Sequence, residues 1–275
     1  MEISLPGDKS ISHRALMLAA IAEGTTILRN LSRGVDVTRT RECLEQCGCE
    51  FKDKGAKVVV TGRGGAFTQP SADLDAANSG TTARLLMGLL AGRNIQARLV
   101  GDESLSRRPM ARVVEPLVQL GAQIDISVRK TLPVTINPAN LESLTFTPPV
   151  ASAQVKSALL LAGLASAGEV QVTEPVPSRN HTELMLRALG VDINVNGDIT
   201  TIGAGVQPIQ GFSMEIPGDP SSAAFLAALT TLLPHGEITF KRLMLNPTRL
   251  ASFGLCNAWG GKLTGQLKSM NWGSR

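Results

Sequence analysis

The chain contains no tyrosine, and aromatic residues of any kind make up 3% of its 275 positions. It therefore lacks the stacking platforms that hold single-stranded nucleic acid, and no nucleic-acid partner is expected. Charge is also sparse, at 18% of residues with a net +4. The small positive excess is spread along the chain, which suits small anionic ligands better than a polyanion. No uninterrupted apolar run is long enough to cross a bilayer, and the first residues lack the basic, apolar and small-residue succession of a secretory signal. A cytoplasmic protein without a membrane partner is expected. Cys43, Cys47 and Cys49 lie close together but have no histidine beside them. They read as small buried hydrophobes, so neither a metal nor a cofactor is expected.

What is present is apolar bulk, 43% of residues, enough for one large domain or two smaller ones. It is arranged in a layout that recurs: a small-polar head, an apolar helix, a glycine, a β-rich run, a second helix, a glycine, then further strand. The first copy runs from Ser10 through Gly24 to Gly48 and Thr61, the second from Asn78 through Gly92 to Gly121, and the third from Ala151 through Gly168 to Gly190. A fourth begins at Gly218-Asp219-Pro220-Ser221-Ser222, reaches Gly236 and would place its second stop at Gly260. The first stops follow one another at 68, 76 and 68 residues, a regularity that argues for a structural repeat. Leu16-Met17-Leu18, Leu85-Leu86-Met87 and Leu159-Leu160-Leu161 make the first helices apolar nearly all round. The predicted object has these helices inside and sheets outside, with several helix N-termini gathered at one end.

Those helix heads carry the candidate chemistry. In Pro6-Gly7-Asp8-Lys9-Ser10-Ile11-Ser12-His13-Arg14, a polar segment opens the first helix with Lys9 and Arg14 beside free backbone N–H groups. Two cations crowded on a positive helix end make sense when an anion offsets them. Asn78-Ser79-Gly80-Thr81-Thr82-Ala83-Arg84 offers bare backbone and hydroxyls, and Ser152-Ala153-Gln154-Val155-Lys156-Ser157 offers a hydroxyl, an amide and a cation. Arg107-Arg108-Pro109 places two guanidiniums before a predicted helix, and Pro177-Ser178-Arg179-Asn180-His181 opens another. Singly, each reads as a helix cap. His13 and His181 read as hydrogen-bonding residues near helix starts.

Together these stretches resemble the 5-enolpyruvylshikimate-3-phosphate synthase family, especially its branch with the Gly-Asp-Lys-Ser and Ser-Ala-Gln-Val-Lys-Ser wording, from the first residues to about Arg249. The resemblance implies an α/β (α+β) fold, an inverse α/β-prism domain of three βαβαββ-type repeats plus part of a second such domain. It implies carboxyvinyl transfer from phosphoenolpyruvate to the 5-hydroxyl of shikimate 3-phosphate, in aromatic amino acid (chorismate) biosynthesis. By the same resemblance Lys9 contacts both substrates, while Ser10 and Arg14 hold shikimate 3-phosphate. Gly80 and Arg108 hold phosphoenolpyruvate. Ser152, Ala153 through its backbone, and Gln154 bind the phosphate of shikimate 3-phosphate, Gln154 also reaching phosphoenolpyruvate, and Arg179 is a further phosphate contact.

The implied layout is residues 1–8 as a leading strand of a split second domain, 9–210 as a complete three-repeat domain, and 211–275 as an incomplete start of the second, atypical from about 251. The family's acid and base carboxylates lie in later repeats, so no catalytic residue is identifiable here and little or no turnover is expected from this chain alone. A shifted reading frame or truncated clone would account for the tail, and a complementary C-terminal fragment is a candidate partner. Two alternatives remain: a non-catalytic phosphometabolite-binding half-protein, and the related UDP-N-acetylglucosamine enolpyruvyl transferase, against which stands the lack of a cysteine in a matching loop.

Overall fold

The computed structural model describes residues 1–258. Its helices are α1 (Lys9–Ile21), α2 (Val35–Gln46), α3 (Gly80–Leu90), α4 (Glu103–Ser106), α5 (Ala111–Gln119), α6 (Ala153–Gly163), α7 (His181–Ala188), α8 (Pro220–Thr231) and α9 (Ala251–Ala258).

Helices α1, α3 and α6 each begin at a side chain that satisfies a backbone donor the helix leaves open, as α4 and α8 also do. Asp8 accepts from Ile11 N–H at 2.8 Å, Ser79 from Thr82 N–H at 3.2 Å and Ser152 from Val155 N–H at 3.4 Å. Behind these caps α1, α3 and α6 are apolar on nearly every side, and Leu16, Met17, Leu85, Leu86, Leu159 and Leu160 are fully buried. Gly88 lets two of them meet backbone to backbone, because a Cβ there would stand 2.0 Å from the carbonyl oxygen of Ala158.

Around this helical core stand three four-stranded sheets of one design. In the second unit the spatial order is Leu74–Asp75, Ala97–Val100, Val134–Asn137 and Gln123–Ile126, the first pair parallel and the others antiparallel. The third unit repeats it with Leu144–Phe146, Val170–Thr173, Ile199–Ile202 and Ile193–Asn196. Each strand turns alternate residues inward, as Thr26 and Leu28 or Val58 and Val60 do in the first unit.

The first unit differs in where its parallel edge strand originates. The residues before α1, Glu2–Ser4, pair instead with Thr239–Lys241. The vacant place beside Thr25–Arg29 is filled by Ser213–Glu215. Phe212, Met214 and Ile216 accordingly belong to the main core, as does Met244. Leu5, Ala223, Ala227, Phe253 and Cys256 form a second, separate apolar cluster. The chain crosses between the two clusters at paired Pro-Gly-Asp segments, where Asp8 N–H donates to Pro217 O at 2.7 Å and Asp219 N–H to Pro6 O at 3.0 Å.

Three expected helix stops are not stops. α1 ends at Ile21, and Gly24, at φ +88°, joins the short strand Ala22–Glu23 to Thr25–Arg29. α6 ends at Gly163 and α8 at Thr231, while Gly168 and Gly236 are glycine for close approach, to Ser143 and to Thr230 respectively. Gly260 and the residues beyond Ala258 lie outside the described part. Phe225 on α8 is 80% exposed, and Leu232, which caps its C-terminus, 75%. No helix among the described residues is long and apolar enough to cross a membrane.

Candidate anion-binding cradle

At the head of α1 the Arg14 guanidinium is spent almost entirely on neutral oxygens. Nε donates to Thr182 Oγ1 at 2.7 Å, Nη2 to Ser157 Oγ at 2.6 Å, and Nη1 to the carbonyl and hydroxyl oxygens of Ser10 at 3.0 and 2.9 Å. It is 3% exposed, and burial pulls its pKa down to about 10, opposed by the nearby Glu183 carboxylate. No carboxylate oxygen bonds it among the described residues, so a buried full charge stands ready for an anion. Beside it, His181 Nδ1 lies 3.2 Å from Ser10 Oγ. Burial, reinforced by Arg14, Arg179 and Arg249, holds the His181 ring neutral with a pKa near 3.

Lys9 stands at the open edge, its ammonium 2.6 Å from Asp36 Oδ2, and its backbone N–H donates to Asp219 Oδ2 at 3.2 Å. Arg179 adjoins Arg249, and burial lowers its pKa first, with Arg249 adding to that and Asp8 opposing it. Arg249 in turn lies 3.7 Å from Asp219 Oδ1.

The heads of α3 and α6 form the other side. Gln154 Oε1 accepts from Arg84 Nη1 at 3.1 Å, and its amide donates to Thr81 Oγ1 at 3.1 Å, which ties the two helices together at their N-termini. Arg108 donates to Asn78 Oδ1 at 2.6 Å. A Cβ at Gly80 would stand 2.6 Å from Arg84 Nη1 and 3.4 Å from Arg108 Nη1, so both guanidiniums close over a bare backbone position. Burial lowers the Arg84 pKa, and Arg108 and Arg112 push it the same way. Among the described residues no carboxylate pairs with Arg84 or Arg108. The backbone N–H groups of Ser10, Thr81, Ala153 and Gln154 likewise have no partner in the described part. Positive helix ends and guanidiniums without carboxylate partners are the features that suit an anion.

The sequence-predicted residues are thus distributed as two linked groups. Lys9, Ser10 and Arg14 occupy one, Gly80, Arg108, Ser152, Ala153 and Gln154 the other, and Arg179 stands with Arg249 beside the first. Arg107 is not part of either. It closes α4, a helix of its own capped by Asp102 through Leu105 N–H at 2.7 Å, and its side chain pairs with Glu103. The expected single helix from Pro109 therefore begins at Ala111 instead.

Lys156 faces inward, 2.5 Å from Glu174 Oε2 and 2.6 Å from Glu183 Oε1, and cannot serve a phosphate. Arg84, Ser157 and Arg249 are not assigned a role by the sequence, and Thr182, a cap candidate there, bonds Arg14 and Ser157 instead. Arg84, one helical turn past Gly80, was the most findable of them. The buried thiols of Cys43, Cys47 and Cys49 are pushed up to about 12 by burial, which makes them inert.

Comparison with known proteins adds the following. The family model described as EPSP synthase (3-phosphoshikimate 1-carboxyvinyltransferase) matches residues 1–272, a span that runs past Arg249. The 3-phosphoshikimate 1-carboxyvinyltransferase of Geobacillus thermodenitrificans is 47% identical over 264 residues, covering 95% of this chain and 61% of that protein. The Bacillus subtilis protein of the same name is 44% identical over 264 residues, with the same coverage of 95% and 61%. A solved EPSP synthase from Acinetobacter baumannii superposes with a TM-score of 0.92 at 37% identity, over 99% of this chain and 62% of that one. The chain thus spans about three fifths of the length of the relatives it matches.

Proposed function

The chain belongs to the EPSP synthase family, and on that footing we propose that it binds shikimate 3-phosphate and phosphoenolpyruvate in the cradle of α1, α3 and α6, as the binding half of a carboxyvinyl transferase. The observation that carries this reading is the pair of guanidinium groups at the heads of α1 and α3, Arg14 and Arg84, to which no carboxylate bonds among the described residues.

In the reaction, the 5-hydroxyl of shikimate 3-phosphate gives its proton to a base and its oxygen bonds to C2 of phosphoenolpyruvate as C3 gains a proton from an acid. The tetrahedral adduct then loses phosphate from C2 and the proton from C3, which restores the vinyl group. Arg14 and Ser10 hold shikimate 3-phosphate, whose phosphate meets Ser152, the backbone of Ala153, Gln154 and Arg179. Gly80 and Arg108, with Arg84, hold phosphoenolpyruvate. Lys9 spans both from its place beside Asp36. These cations stabilise the departing phosphate, and the packed helix heads limit water.

Proton transfer falls outside this chain's described share. Asp36 is paired with Lys9, Asp219 caps α8, and Glu174 and Glu183 are buried against Lys156. We therefore assign it binding and orientation, with little turnover alone. A complementary polypeptide supplying the missing acid and base would be its partner, for which the exposed Phe225 of α8 and Leu232 at its C-terminus offer an apolar face. A reducing cytoplasm suits four free cysteines.

Calorimetry with shikimate 3-phosphate tests the reading. Saturable binding that Arg14→Ala abolishes is expected, and no binding by the unaltered chain would defeat it. A phosphate-release assay with both substrates tests the division of labour, since turnover by the chain alone would show that it holds its own acid and base.

A further inference from the structure

A buried chain of hydroxyls links the two groups of the cradle. His13 on α1 is fully buried, and its Nδ1 lies 2.7 Å from Oγ1 of Thr40 on α2. Thr40 Oγ1 lies 2.7 Å from Oγ1 of Thr82 on α3, and Thr82 donates to Ser79 Oγ at 2.7 Å. Nε2 of His13 has no partner among the described residues. A buried N–H lacking an acceptor is rarer than a buried acceptor lacking a donor, so the ring proton belongs on Nδ1. Burial, with Arg14 and then Lys9 adding to it, pushes the His13 pKa down to about 3, so the ring carries only that one proton.

This tautomer orients the first two links: Nδ1–H donates to Thr40, and Thr40 donates to Thr82. The Thr82 hydroxyl faces two acceptors, Ser79 Oγ at 2.7 Å and the Asp36 carbonyl oxygen at 3.2 Å, and the shorter contact carries the chain on to Ser79. Ser79 Oγ is also the oxygen that accepts Thr82 N–H at 3.2 Å and caps α3. His13, Thr40, Ser79 and Thr82 are each at most 1% exposed, so none of them meets solvent or a bound anion directly.

We propose that His13 is a positioning residue whose oriented hydroxyl chain locks the Ser79-Gly80-Thr81 turn and thereby fixes the head of α3 relative to Ser10 and Arg14. Its ligand consequence rests on the assignment of phosphoenolpyruvate to the α3 head, whereas the relay itself does not.

Three measurements on the full chain test it. The 15N spectrum of His13, assigned by its loss in His13→Asn, should show a protonated Nδ1 and a bare Nε2, and a protonated Nε2 would overturn the relay. Thr40→Val removes one hydroxyl at little change of shape. It should shift the amide resonances of Ser79 to Thr82 and speed exchange at Thr82 N–H about threefold to tenfold, leaving Ser10 and Arg14 in place, and Thr40→Ser should restore the pattern. Shifts spread evenly over the chain, or none, would count against it. Titrated with phosphoenolpyruvate, Thr40→Val should bind about threefold to tenfold more weakly and take up shikimate 3-phosphate as before. Equal losses for both ligands would reduce the effect to general destabilisation and overturn the positioning role. If the unaltered chain takes up no phosphoenolpyruvate, the α3-head assignment fails, and the tautomer and exchange results alone judge the relay.

Discussion

Arg14 and Thr182 stand 168 residues apart in the chain, yet the guanidinium Nε of one donates to the hydroxyl of the other at 2.7 Å. Thr182 passes the bond on to Ser157 at 2.7 Å, so the first and third units meet around a single cation. An anion bound there senses α1, α6 and α7 together.

Arg14→Lys should therefore do more harm than its retained charge suggests. Lysine cannot reproduce a planar fork reaching Thr182, Ser157 and Ser10 at once. Calorimetry should show at least about tenfold weaker binding of shikimate 3-phosphate, with about 1–3 kcal/mol lost from stability in denaturant titration. Undiminished affinity would remove Arg14 from the site.

Lys156→Met should cost more stability than any change at the open edge of the cradle. It leaves Glu174 and Glu183, 4% and 3% exposed, as buried carboxylates without the ammonium that bonds both. A loss of about 3–5 kcal/mol is expected from breaking such a pair on one side. Adding Glu174→Gln and Glu183→Gln should return most of it in thermal melts. A single variant as stable as the parent would mean that the two carboxyls are not ionised.

Gly80→Ala should leave the fold intact and disturb one ligand selectively. The new methyl meets the mobile end of Arg84, 2.6 Å away, rather than backbone. The arginine swings aside and loses Gln154, so phosphoenolpyruvate binding should fall about tenfold or more if one charge-assisted contact is lost. Shikimate 3-phosphate binding should persist in the same titration.

Acid should destabilise the protein through its two buried imidazoles. His13 and His181 are held neutral in the folded chain with pKa values of about 3, below the ordinary value of 6.5. The unfolded chain therefore binds more protons between these values, and stability falls as pH drops through that window. From pH 7 to pH 5 each should contribute a loss of roughly 2 kcal/mol. In denaturant titrations at the two pH values, His13→Gln should flatten the dependence by about half, and an unchanged slope would contradict the burial argument.

The helix heads, their Asp and Ser caps, the apolar helices and the repeat of one unit were all legible in the sequence, because capping and periodicity act over a few residues. Which cations face an anion was not. Gln154 and Lys156 sit two residues apart at one helix head, which places them about 200° apart around its axis. Only the packing of α6 against α3 and α7 turns the first toward Arg84 and the second toward Glu174 and Glu183. Likewise Ser213–Glu215 completes the first sheet because residues 2–4 pair elsewhere. A strand's own residues do not encode which distant edge is left open.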